Sequence, residues 1–149
     1  MVKSLDQQLV KQIEDICAAR GVRLTTQRKR VFELICASPK ASSAYELLEE
    51  LKQTEPQAKP PTVYRALDFL LEQGFIHRVE STNSYIQCGS CNAHKHYSHM
   101  LICDKCSNVI ELVDDSLVAL LVNNAEERGF TITNHVIESH GVCKSCSSD

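Results

Sequence analysis

Two Cys-x-x-Cys knuckles constrain the second half of this chain more than any other feature: Cys103-Asp104-Lys105-Cys106 and Cys143-Lys144-Ser145-Cys146. A knuckle aims two thiolates at one tetrahedral ion, and two knuckles complete a closed four-cysteine site suited to zinc. Cys103, Cys106, Cys143 and Cys146 are therefore expected to hold a structural zinc. Eight cysteines would also suit a disulfide framework in a secreted protein. The start, Met1-Val2-Lys3-Ser4-Leu5-Asp6, carries no apolar signal region, and no run of residues is apolar enough to span a membrane. A cytoplasmic location is the expectation, and in that reducing compartment thiolate–metal bonding prevails over oxidation.

With 149 residues, 43% of them hydrophobic, and only 5 Gly and 4 Pro, the chain can bury one full core or two small ones. Charge divides it. Residues 1–80 carry 12 Lys/Arg against 11 Asp/Glu, net +1, while residues 81–149 carry 4 against 8, net −4, which together give the total of −3. The asymmetry suggests two domains with different tasks. Net +1 is weak evidence for a nucleic-acid surface, but Arg23, Arg28, Lys29 and Arg30 cluster, and Lys59 and Arg65 bracket a later helix start. The plainer alternative is a solvated helix surface.

The first half reads as four helices and a hairpin. Leu5, Leu9, Ile13, Ile16 and Cys17 recur at helical spacing up to a terminator at Gly21. Thr25 or Thr26 can cap a second helix bearing Val31, Phe32, Leu34 and Ile35, which Ser38-Pro39 breaks. Ser43-Ala44-Tyr45-Glu46 has capping-box spacing and opens a third helix to about Thr54. The fourth, Thr62 to Leu71, has Pro61 near its first turn and Gly74 at its end. Phe75–Glu80 and Ser84–Cys88 read as two strands around the polar turn Ser81-Thr82-Asn83.

Helices two to four with that hairpin spell a winged helix-turn-helix, in which the last helix enters a major groove and flanking basic groups hold phosphates. Thr62, Tyr64 and Arg65 stand at its N-terminal end; Arg65 can donate two bonds to a guanine edge, and Tyr64 can meet a thymine methyl or a phosphate. Lys59, Arg23 and Arg28 are the candidate phosphate contacts. The alternative makes Tyr64 a packed aromatic and Arg65 a surface charge.

Taken in order, Pro60-Pro61-Thr62-Val63-Tyr64-Arg65-Ala66-Leu67, the hairpin, Cys103-x-x-Cys106, and Asn134-His135 through Gly141-x-Cys143-x-x-Cys146 resemble the ferric uptake regulator family over nearly the whole chain. Within the family, Ala58 to Leu70, Glu72-Gln73-Gly74-Phe75 and Glu80 to Tyr85 most resemble its zinc-sensing members. The resemblance implies an α+β protein: an N-terminal winged helix-turn-helix DNA-binding domain over residues 1–82, a hinge about 79–92, and a small α/β dimerisation domain over 93–149 containing the four-cysteine zinc. It implies a homodimeric, zinc-responsive repressor of zinc-uptake genes that binds palindromic double-stranded operator DNA, with about two zinc ions per subunit. It places the regulatory zinc on His77, Cys88, His96 and Glu111. Two imidazoles, a thiolate and a carboxylate form a tetrahedral zinc set, and the thiolate disfavours ferrous iron. Such a metal, with ligands from the wing and from the C-terminal domain, would fix the domains relative to each other.

Other pairings stay open. Cys88-Gly89-Ser90-Cys91 is a third knuckle, and with Cys103 and Cys106 it could build a zinc ribbon, stranding Cys143 and Cys146. Cys91 can also replace Cys88 or stand by as a free thiol. His94 and His99 read as solvent-facing, while His135 and His140 can join a further metal site or serve no ligand role. Cys17 and Cys36 read as buried hydrophobes. In the second half, Leu101-Ile102, Val109–Val113 and Thr131-Ile132-Thr133 to Val136-Ile137-Glu138 read as strands around a helix from Asp114 to Arg128. Its apolar face is Leu117, Leu120 and Leu121. An open sheet edge there favours pairing across a two-fold axis. Glu49 and Lys52 offer an ion pair between neighbouring dimers on DNA, or simply a local surface pair. Closed metal sites leave no open position for catalysis, so the chain is not read as an enzyme, and no small-molecule substrate is expected. The competing functions are an iron or peroxide sensor of the same family, and a constitutive zinc-stabilised DNA-binding module.

Overall fold

The computed structural model describes residues 2–89 and 98–148, leaving aside the side chains of residues 2–6 and 98. It divides into two compact units, Met1–His94 and Lys95–Asp149.

The first unit opens with α1 (Val2–Arg20), whose Val10, Ile13 and Cys17 fall three and four residues apart and are buried. Gly21, at φ 68, takes the left-handed turn that ends it. Helix α2 (Thr26–Ala37) is capped by the Thr25 hydroxyl, which accepts the Arg28 N–H, and ends where Ser38 turns extended ahead of Pro39. A strand of two residues, β1 (Ser42–Ser43), precedes α3 (Ala44–Lys52). At that start Ser43 Oγ accepts the Glu46 N–H at 3.2 Å while Glu46 takes the Ser43 N–H at 2.8 Å, a full capping box.

Helix α4 (Pro60–Glu72) carries two prolines in its first turn, where missing N–H donors cost nothing. Its far end closes through Gly74 at φ 77: the Phe75 N–H reaches the Leu70 carbonyl at 2.9 Å and the Gly74 N–H reaches Leu71 at 3.0 Å. The hairpin β2 (Ile76–Val79) and β3 (Ser84–Gln87) follows, with Arg78 opposite Tyr85. β1 pairs antiparallel with β3, Ser42 opposite Tyr85, to give the order β1-β3-β2. Phe32, Leu47, Leu51, Leu67, Leu70 and Phe75 make the centre of the core.

The second unit has a sheet of order β5-β4-β6, built from β4 (Ser98–Cys103), β5 (Val109–Val113) and β6 (Ile137–Gly141). β5 runs antiparallel to β4, and β6 parallel to it. Helix α5 (Asp115–Glu126), capped by the Asp114 carboxylate, makes the crossover between β5 and β6, and α6 (Lys144–Ser147) is a single turn. The strand expected at Thr131–Thr133 is not one. Those β-branched residues lie in irregular chain, and pairing begins at Ile137, opposite His99. Here the parallel partner decides, and β propensity yields to it. The helix expected over Asp114–Arg128 is confirmed with its ends trimmed, and no helix among the described residues is long and apolar enough to cross a membrane.

Candidate metal centres and DNA-reading face

Cys103 ends β4, and the chain turns back sharply behind it: Ser107, at φ 60, donates its N–H to the Cys103 carbonyl, and the Cys103 N–H reaches the Asn108 carbonyl, both at 2.9 Å. That turn carries Cys106. Parallel pairing sets Cys103 opposite Gly141, two residues before Cys143, and α6 then lifts Cys146 beside it. The four sulfur atoms lie within 4.8 Å of one another. Cys106 Sγ and Cys143 Sγ are 3.7 Å apart. Two thiolates on a tetrahedral zinc, with bonds near 2.3 Å, stand roughly 3.8 Å apart.

The donor chemistry makes the same demand. The Cys143 N–H first, and then that of Cys106, pull the Cys103 thiol down to about 6, while the neighbouring sulfurs of Cys143 and Cys106 push Cys146 up to about 12. One thiolate forms readily here, but four so close together require a soft divalent cation to neutralise them. The residues present fit zinc.

In the first unit, β2 and β3 bring His77 and Cys88 together. His77 lies opposite Ile86, and the Cys88 N–H donates to the Phe75 carbonyl at 2.9 Å. A ring nitrogen of His77 and the buried Cys88 sulfur are within 4.8 Å of each other. Glu111 stands on β5 of the second unit, opposite Met100. His96 lies outside the described residues, as do Cys91 and His94. His99, expected to face solvent, is half-buried, and its Nε2 pairs with the Ser139 hydroxyl at 2.7 Å. Cys17 is a buried hydrophobe whose thiol burial pushes up, and Cys36 is half-buried.

Helix α4 buries Val63, Ala66, Leu67 and Leu70 and turns Tyr64 and Arg65 outward, Tyr64 at 49% exposure. Lys59 is exposed at its start. Thr62 is partly committed, since its Oγ1 accepts the Lys59 N–H at 3.4 Å. Arg28 has a packing task that charge clustering did not reveal. Its guanidinium sits 3.9 Å from the Phe69 ring centroid and donates to the Arg23 carbonyl, anchoring the turn before α2 to α4. Arg23 itself is exposed. Glu49 and Lys52 pair with each other at 3.1 Å along α3.

A second clamp went unseen in the sequence. Arg20 stacks 5.6 Å from the Phe75 ring centroid and donates to the Gln73 backbone carbonyl at 2.8 Å and to its side-chain oxygen at 3.0 Å. It holds the end of α1 against the junction of α4 and β2. The sequence signal was slight: an arginine in the last turn of an amphipathic helix.

The profile of the ferric uptake regulator family matches residues 19–147. A zinc uptake regulation protein of Escherichia coli (strain K12) is 51% identical over 146 residues, covering 98% of this chain and 85% of that protein. A structure of a zinc uptake regulator complexed with zinc and DNA superposes with a TM-score of 0.93 at 50% identity, covering 96% of this chain and 95% of its own. A crystal structure of holo XcZur gives 0.88 at 39% identity, over 95% of this chain and 99% of that one.

Proposed function

Because this chain belongs to the ferric uptake regulator family, we propose that it is a zinc-responsive repressor that binds operator DNA through α4 when its regulatory zinc is in place. It is a transcription regulator, not an enzyme. The observation that carries this function is the close likeness to a zinc- and DNA-bound zinc uptake regulator over 96% of the chain.

Two zinc ions have different tasks. Cys103, Cys106, Cys143 and Cys146 close around one, leaving no position for exchange, so that zinc is a permanent clamp of the second unit. His77, Cys88, His96 and Glu111 take the other. Support for that set comes from the residue-by-residue resemblance to zinc-sensing members and from the proximity of His77 and Cys88. Zinc supplies a fixed tetrahedral charge there. On binding it, these side chains favour the arrangement in which two α4 helices match two operator half-sites, a shift of population. Arg65, Tyr64 and Thr62 read bases; Lys59, Arg23 and Arg28 serve the phosphate face.

The chain acts as a homodimer in the cytoplasm. Supporting the dimer is the apolar surface of the second unit, where Ile110, Leu112, Val113, Leu120, Phe130 and Val136 are all more than 40% exposed.

The test uses a duplex selected from a random pool by the zinc-loaded protein, with affinity measured against buffered free zinc and free ferrous iron while bound zinc is counted. Affinity should rise with the second zinc equivalent per chain and fall with added salt. A ferrous response without a zinc response would sink the assignment; binding indifferent to the second equivalent would leave only a constitutive DNA-binding module.

A further inference from the structure

We infer that His140 is a positioning residue of the four-cysteine centre, gripping the first knuckle from the strand that delivers the second; this rests on the assignment of a zinc ion to those cysteines. His140 stands on β6, three residues before Cys143, and opposite Ile102 on β4. Its Nδ1 meets Oδ1 of Asp104 at 3.2 Å, and Asp104 is the residue inside the first knuckle next to Cys103. The other ring nitrogen, Nε2, lies 3.6 Å from Oε2 of Glu138 on the same strand. The Glu138 side chain is 11% exposed and that of Asp104 60% exposed. Only the Asp104 contact is within hydrogen-bond distance, so the ring holds that exposed carboxylate through Nδ1 while Glu138 lies farther off.

This contact completes a clasp made from both middle residues of the first knuckle. The Asp104 N–H donates to the Gly141 carbonyl at 2.8 Å, so Asp104 is held to β6 by backbone and by side chain. Lys105 reaches the other way, its Nζ donating to the Cys146 carbonyl at 3.1 Å. A closed tetrahedral site loses its metal when its ligands spread, and contacts behind the ligands resist that spreading. The sequence left His140 either to join a further metal site or to serve no ligand role. With Nδ1 on the Asp104 carboxylate, the ring instead buttresses the site already present.

The experiment follows zinc transfer from the full-length protein to 4-(2-pyridylazo)resorcinol by absorbance. The parent should show a slow phase of one zinc per chain that is missing from Cys143→Ser. His140→Ala and Asp104→Ala should each quicken that phase by about two- to fivefold, the range of a half-exposed pair. The double variant should be no faster than the faster single one, because both remove the same contact. A parent without the slow phase would refute the zinc assignment to the four cysteines and the inference with it. A parent with the slow phase, alongside single variants at the parental rate or a double variant whose effects multiply, would overturn the role of His140 alone. Should His140→Ala fail to fold by circular dichroism, the rate of Asp104→Ala decides.

Discussion

The Cys88 N–H donates to the Phe75 carbonyl at 2.9 Å, joining a metal-ligand candidate to the residue that closes α4. Phe75 is the last residue of the left-handed stop at Gly74, its ring is fully buried edge-on to Phe32 at 6.4 Å, and Arg20 covers it. His77 follows two residues later. Within the first unit, α4, His77 and Cys88 are therefore one packed body, so a ligand that orients His77 and Cys88 orients α4 with them.

Removing that ring should cost the first unit about 3–5 kcal/mol, the range for truncating a buried phenylalanine. Phe75→Ala is expected to lower the denaturant midpoint of the first unit accordingly while the slow zinc of the four cysteines stays bound. Urea unfolding followed by circular dichroism, with zinc counted before and after, checks both halves.

Cys88→Ser replaces a thiolate with a poorly coordinating hydroxyl at nearly constant volume. The variant should keep one tightly held zinc per chain and lose the zinc-dependent rise in operator affinity. An unchanged rise across a buffered zinc titration would remove Cys88 from the sensor.

Much of this was legible because local chemistry spells it. Ser43 and Glu46 sit at capping-box spacing and make both bonds; Pro60-Pro61 and Gly74 bracket α4; two Cys-x-x-Cys knuckles announce a cluster that the structure assembles. Relationships carried by the backbone or by distant partners were not legible. β1 is two serines with no hydrophobic pattern, paired to β3 more than 40 residues later. Thr131–Thr133 have strand composition but no strand partner, and His99 lost its expected exposure to a serine on β6. The Phe75–Cys88 bond involves no side chain, so no residue type could advertise it.

Arg65 and Lys59 should separate on DNA. A bidentate contact to one base edge is worth about 1–3 kcal/mol, so Arg65→Ala should weaken the selected duplex and relax preference at one position. Lys59→Ala should weaken all sequences alike and reduce the salt slope by about one. Fluorescence anisotropy at several salt concentrations, on matched and single-substituted duplexes, distinguishes the two.

Asp114 ties the start of α5 to pH. The Ser116 hydroxyl first, then the N–H groups of Ser116 and Leu117, hold its carboxyl below the usual carboxylate range. A depressed folded value means the stabilisation is complete above the unfolded value of about 3.9 and is lost as pH falls through the folded one. Asp114→Ala should therefore be less stable than the parent at pH 7, and the gap should close below about pH 4. Paired denaturation curves at matched pH report the difference.

The second unit should depend on its metal for folding in a way the first does not. Among its described residues only Met100, Ile102 and Cys103 are buried hydrophobics, and no residue of α5 is buried, whereas the first unit packs a continuous core across four helices. A segment this short cannot stabilise itself on so little burial and needs a metal staple or a partner. Structural zinc contributes on the order of 10 kcal/mol in small domains, more than such a core can replace. Cys143→Ser, or prolonged chelation of the parent, should collapse amide-exchange protection across β4, β5 and β6 while α2, α3 and α4 stay protected. Surviving protection in β4 without zinc would mean that the sheet holds by packing alone and that the four thiols are not its staple.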